Sequence, residues 1–63
     1  MAYTHCTSIK QIQEVLRNYD SEIVRDRNGE YWMECDEEVF CGERRDAIRV
    51  CNQYFKKRGW QKA

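Results

Sequence analysis

The dipeptide Asn28-Gly29 is the feature that most restricts how this chain can fold. A two-residue type I′ turn needs positive φ at both central positions, and Asn-Gly supplies it better than any other pair. Residues 22–27 precede it and residues 30–36 follow. A two-residue loop would set Arg27 opposite Glu30, Asp26 opposite Tyr31, Arg25 opposite Trp32 and Val24 opposite Met33. Because strand side chains alternate, the two faces follow directly. One carries Val24, Tyr31, Met33 and Cys35, and is the expected core face. The other carries Ile23, Arg25, Arg27, Trp32 and Glu34.

Helical patterns flank this hairpin. Ser8 followed by Gln11 makes a capping box. Ile9, Ile12, Leu16 and Tyr19, with Val15 beside them, then form one apolar stripe, so a helix is expected over 8–19. A second helix is expected over 43–58, with Ala47, Ile48, Val50, Cys51, Tyr54 and Phe55 as its apolar side. Lys56, Lys57 and Arg58 suit the negative end of the helix dipole, and Gly59 suits the left-handed stop. Trp60 then falls where such a stop lays its hydrophobic contact, over Phe55. Between hairpin and second helix, Asp36-Glu37-Glu38 reads as a polar turn and Val39-Phe40-Cys41 as a short third strand.

The expected fold is a single α+β domain of order α-β-β-(β)-α, with two helices on one face of a two- or three-stranded antiparallel sheet. Residues 22–41 form the hairpin or meander, and 1–7 and 59–63 are tails. A chain of 63 residues buries only about 60% of the surface it exposes when unfolded, so each internal tie matters. Cys6, Cys35, Cys41 and Cys51 are an even number, but no secretory signal precedes them, and reduced, buried thiols are the expectation. No Cys-x-x-Cys knuckle is present and Cys51 lies on the core stripe, so no metal or other cofactor is expected. The chain has 11 basic and 11 acidic residues, so no net field draws it to nucleic acid or membrane. No apolar run reaches the length of a bilayer span. A cytoplasmic location follows as an expectation.

Three surfaces are left for function. The first is the open sheet face, with Ile23 and Trp32, Phe40 if the third strand extends it, and Arg25 and Glu34 as a frame. Trp and Arg are enriched at interface hot spots. The second is the acidic turn Asp36, Glu37 and Glu38, a source of steering charge. The third is a basic ridge on the second helix, where Arg45, Arg49 and Lys56 align with Asn52 and Gln53 alongside. The run 42–47, Gly-Glu-Arg-Arg-Asp-Ala, together with the element order, resembles the double-stranded-RNA-binding domain, whose second helix opens with paired basic residues before an alanine. That resemblance implies contact with a phosphate backbone. The sequence departs from the family at Ile48, which stands for a further basic residue, and in the short Asn28-Gly29 loop.

His5 is the only histidine, and no glycine-rich phosphate loop or nucleophile elbow is present. The sequence therefore reads as a non-enzymatic binding protein that docks on a protein partner. The type is that of small phage or mobile-element regulators and inhibitors that occlude a host or defence complex, itself a candidate nucleic-acid binder. Self-association as a homodimer is a second form of the same expectation. Ile23, Arg25, Trp32, Glu34 and Asp36–Glu38 are its expected contacts. The alternative is nucleic-acid binding through Arg45, Arg49 and Lys56.

Overall fold

A computed structural model describes residues 5–61, in the order α1 (Ile9–Arg17), β1 (Glu22–Arg25), β2 (Tyr31–Glu34), β3 (Glu38–Gly42) and α2 (Arg44–Arg58). The three strands form one antiparallel sheet with β2 in the centre. Both helices pack on the same face of it, α1 over β1 and α2 over β2 and β3. Between them lies a core of Ile12, Val15, Leu16, Met33, Cys41, Ala47, Cys51 and Phe55, all buried. The third strand thus forms, and it takes in Glu38.

The hairpin register departs from the two-residue expectation by one position. Glu22 pairs with Glu34, Ile23 with Met33, Val24 with Trp32 and Arg25 with Tyr31. The cause is Asp26. Its Oδ1 accepts the backbone N–H of Asn28 and of Glu30, both at 2.9 Å. Gly29 N–H donates to Asp26 O at 3.0 Å, and Asp26 N–H donates to Glu30 O at 2.8 Å. The loop therefore has three residues, a turn closed by a left-handed Gly29 (φ 82°), and Asn28 keeps a negative φ. A slip of one residue turns a whole strand over. Ile23 and Arg25 consequently face the helices, not Trp32, and Val24 joins Trp32 on the outside.

Both helices end in the same way. At α2, Trp60 N–H donates to Phe55 O (2.9 Å) and Gly59 N–H to Lys56 O (3.4 Å), around Gly59 at φ 71°. This is a Schellman stop. At α1, Ser21 N–H donates to Leu16 O (2.9 Å) and Asp20 N–H to Arg17 O (3.3 Å), around Asp20 at φ 54°. The helix thus ends at Arg17, short of Tyr19, because Asp20 reverses the chain. An L-residue with a Cβ is strained in that conformation. Asp20→Gly is expected to raise stability by about 0.5–1 kcal/mol, read as a rise of several degrees in thermal midpoint. An unchanged or lower midpoint would sink this account of the turn.

The segment before α1 is no loose tail at Cys6. Asn52 Oδ1 accepts Cys6 N–H at 2.7 Å, and Asn52 Nδ2 donates to Cys6 O at 2.8 Å and to Ile48 O at 2.9 Å. Asn52, expected along the outer ridge of α2, is therefore buried, as is Cys6. Ser8 caps α1, accepting Gln11 N–H, while the Gln11 side chain accepts Thr7 N–H at 2.7 Å. Gln13 turns to the sheet and accepts the N–H of Ile23 at 3.0 Å. Residues 1–4 and 62–63 lie outside the described residues.

Candidate functional site

Alternation across the observed register puts six strand residues on the face away from the helices. Two cross-strand rows result. Val24, Trp32 and Phe40 are register partners in one, and Glu22, Glu34 and Glu38 in the other. Trp32 and Phe40 meet edge to face, with centroids 5.0 Å apart and planes at 69°. That geometry suits the ring quadrupoles. Phe40 is 49% exposed, and it is the large hydrophobic residue left most open among the described residues. Asp26 Oδ2 accepts the indole N–H of Trp32 at 2.9 Å, which fixes the ring. That bond, and next the N–H of Glu30, hold the Asp26 carboxyl below its ordinary range, so it stays charged.

Of the expected contacts, Trp32, Glu34 and Glu38 occupy this face. Ile23 packs against the core. Arg25 crosses to the other side, where its guanidinium lies 5.6 Å from the Tyr31 ring centroid. Val24, Phe40 and Glu22 complete the site. Phe40 was legible on condition that β3 formed. Val24 and Glu22 were hidden by the register.

Asp36 and Glu37 serve a different structure. Arg58 grips Asp36 with both nitrogens (3.3 and 3.1 Å) and donates to the Tyr54 hydroxyl at 2.7 Å. Tyr54 in turn donates to Glu37 Oε2 at 3.0 Å, and the Cys35 thiol lies 3.3 Å from the same hydroxyl. The Arg58 guanidinium also lies over the rings of Trp60 and Tyr54. Its hydrogen bond holds the Asp36 carboxyl below the ordinary range, and burial raises the Tyr54 hydroxyl. The acidic turn is thus clamped to the end of α2, and two of its three charges are already paired.

The basic ridge lies on α2. His5, Arg45, Arg49, Gln53 and Lys56 frame an open concavity of about 410 Å³, and Thr7, Arg44 and Arg45 frame a second of about 430 Å³ beside it. Arg49 approaches Asp46 at 3.6 Å with both side chains largely exposed, a pair worth little in water.

The thiols lie elsewhere. Cys41 meets Cys51 at 3.8 Å across the core, and Cys35, Cys41 and Cys51 are thiols outside any disulfide. Contact with Cys41, and then burial, push the Cys51 thiol up, so it is held protonated. Among the described residues no three His, Cys, Asp or Glu side chains are grouped to hold a metal ion, and no helix is long and apolar enough to cross a membrane.

No family model matches this chain, and neither a curated protein nor a solved structure is significantly similar to it.

Proposed function

We propose that this chain is a binding protein, not an enzyme, and that it docks a protein partner through the outward face of its sheet. The observation that carries the reading is the Trp32–Phe40 pair, its indole fixed by Asp26 and its Phe40 ring half open to solvent. Aromatic side chains held rigidly give large contact area at small entropic cost, and they dominate interface energetics. The wider reading is that of a small regulator or inhibitor that occludes a larger host or defence complex, as phage-borne proteins of this kind do. It is supported by the exposed aromatic pair on the outward sheet face.

The test is capture of partners from the source cell with wild type and with Trp32→Ala/Phe40→Ala, alongside sedimentation of each. Hot-spot truncation costs about 2 kcal/mol or more, roughly thirtyfold in affinity. Partner recovery, or self-association if the partner is a second copy, is expected to fall accordingly. Equal recovery and equal oligomeric state in both proteins would overturn the proposal.

A second reading, nucleic-acid binding on α2, is favoured by the basic concavity around Arg45, Arg49 and Lys56. Its mark is a gel shift that weakens steeply between low and moderate salt and disappears in Arg45→Glu/Arg49→Glu. That pattern, with Trp32→Ala/Phe40→Ala binding normally, would transfer function to the helix.

A further inference from the structure

Opposed like charges in neighbouring strands are unfavourable. Glu22, Glu34 and Glu38 stand in one row across all three strands. None of the three has an ion-pair or side-chain hydrogen-bond partner among the described residues. The next row is Val24, Trp32 and Phe40, and beyond it Asp26 holds a fourth negative charge against the indole. By alternation, none of the outward positions of β1, β2 or β3 carries lysine or arginine; Arg27 sits exposed at the loop tip. The molecule is neutral as a whole, so this face is negative because its cations are placed elsewhere: Arg25 behind Tyr31, Arg58 on Asp36, Arg45 and Arg49 on α2.

From this we infer that the occupant of the sheet face is a cationic protein segment presenting arginine or lysine, an inference that rests on the docking reading above. The two rows suit the two parts of such a side chain. A guanidinium stacks on an aromatic face and bonds a carboxylate in its own plane. Trp32 and Phe40 offer the aromatic surface, and Glu34 and Glu38 are the neighbours one row away. Directly opposed strand side chains are about 5 Å apart, well inside the screening length of about 10 Å at 0.1 M salt. A cation inserted there relieves the repulsion among the glutamates and pairs with them in the same step. A polyanion would meet four carboxylates, so nucleic acid is turned away from this face.

The probes are three labelled decapeptides, alternating Arg-Ser, Glu-Ser and Leu-Ser, read by fluorescence anisotropy against the full chain. The Arg-Ser peptide is expected to bind at least tenfold tighter than either of the others. Its affinity should fall with rising salt, and drop at least tenfold in Glu34→Lys/Glu38→Lys and in Trp32→Ala/Phe40→Ala. Arg45→Glu/Arg49→Glu should leave it unchanged. Circular dichroism establishes that each variant is folded, and Glu34→Gln/Glu38→Gln repeats the charge test with smaller perturbation. The inference is overturned if Arg-Ser binds no better than Leu-Ser, or if both glutamate variants bind it as wild type does. Should Leu-Ser bind and Trp32→Ala/Phe40→Ala abolish it, the docking face stands and only the cationic partner falls. Should no peptide's binding respond to Trp32→Ala/Phe40→Ala, both readings fall.

Discussion

Replacing Asn52 by alanine is expected to lower the stability of this domain by about 2–4 kcal/mol. The side chain bonds both backbone groups of Cys6, at 2.7 and 2.8 Å, across 46 residues of sequence. Cys6 is buried, so the substitution takes the Asn52 hydrogen bonds away from a donor and an acceptor in a dry site. Each such group costs about 1–3 kcal/mol, less whatever the segment recovers by peeling into water. Two measurements check this. The urea midpoint should fall, and the Cys6 thiol should react with a thiol reagent before global unfolding, whereas in wild type it reacts only with it. Asn52→Asp tests the geometry, since it keeps the acceptor for Cys6 N–H but turns a carboxylate toward Cys6 O and Ile48 O. It should be no more stable than the alanine variant. A stability within about 0.5 kcal/mol of wild type would show that this tie is not structural.

The other large effect belongs to Trp60. It is 9% exposed and stacks on Tyr19 with centroids 4.4 Å apart and planes at 4°. It also lies against Phe55 and edge-on to Tyr54. Trp60→Ala is expected to cost about 3–5 kcal/mol. A chain of this length has a total stability of about 3–9 kcal/mol at 0.05–0.15 kcal/mol per residue. The variant is therefore expected to lose a third or more of the domain's stability, read as a fall in the urea midpoint. Gly59→Ala is the control. A Cβ at that position meets nothing within 4 Å, so only its left-handed φ of 71° is strained, and the loss should be about 1 kcal/mol. If Trp60→Ala loses no more than Gly59→Ala, the aromatic stack contributes little and this account of the core is wrong.

The contrast between Trp60 and Asn52 shows which parts of the fold can be read from the chain alone. Trp60 over Phe55 follows from local chemistry, because a glycine stop fixes the residue after it relative to the last turn. Likewise the faces of β2 were legible, since alternation within one strand needs no partner. The pairing of β1 was not. Asn28-Gly29 suits a two-residue turn, but Asp26, two residues earlier, offers its carboxylate to two loop N–H groups. The choice between the two loops turned over β1 and exchanged Ile23 and Arg25 for Val24 and Glu22. Asn52 was illegible for another reason. A helical pattern places a polar residue outward unless something elsewhere needs it, and the need arose 46 residues away. At the candidate site the same division holds. Trp32 and Glu34 were found from alternation, Phe40 depended on a third strand, and the pairing of Asp36 and Glu37 with Arg58 required the folded chain.

The lacing of the two ends has a consequence for synthesis. Cys6 is held from the middle of α2, and Tyr19, at the end of α1, stacks on Trp60 and accepts the N–H of Gln61 at 3.0 Å. An emerging polypeptide that stops short of residue 60 has nothing to close over the α1 end of the core. Local helix and hairpin can form early, yet the contacts that lock them span more than forty residues. Such non-local closure is slow relative to local structure. The domain therefore completes its fold only after Trp60 has cleared the ribosome, and truncated translation products are left unlocked and open to proteases.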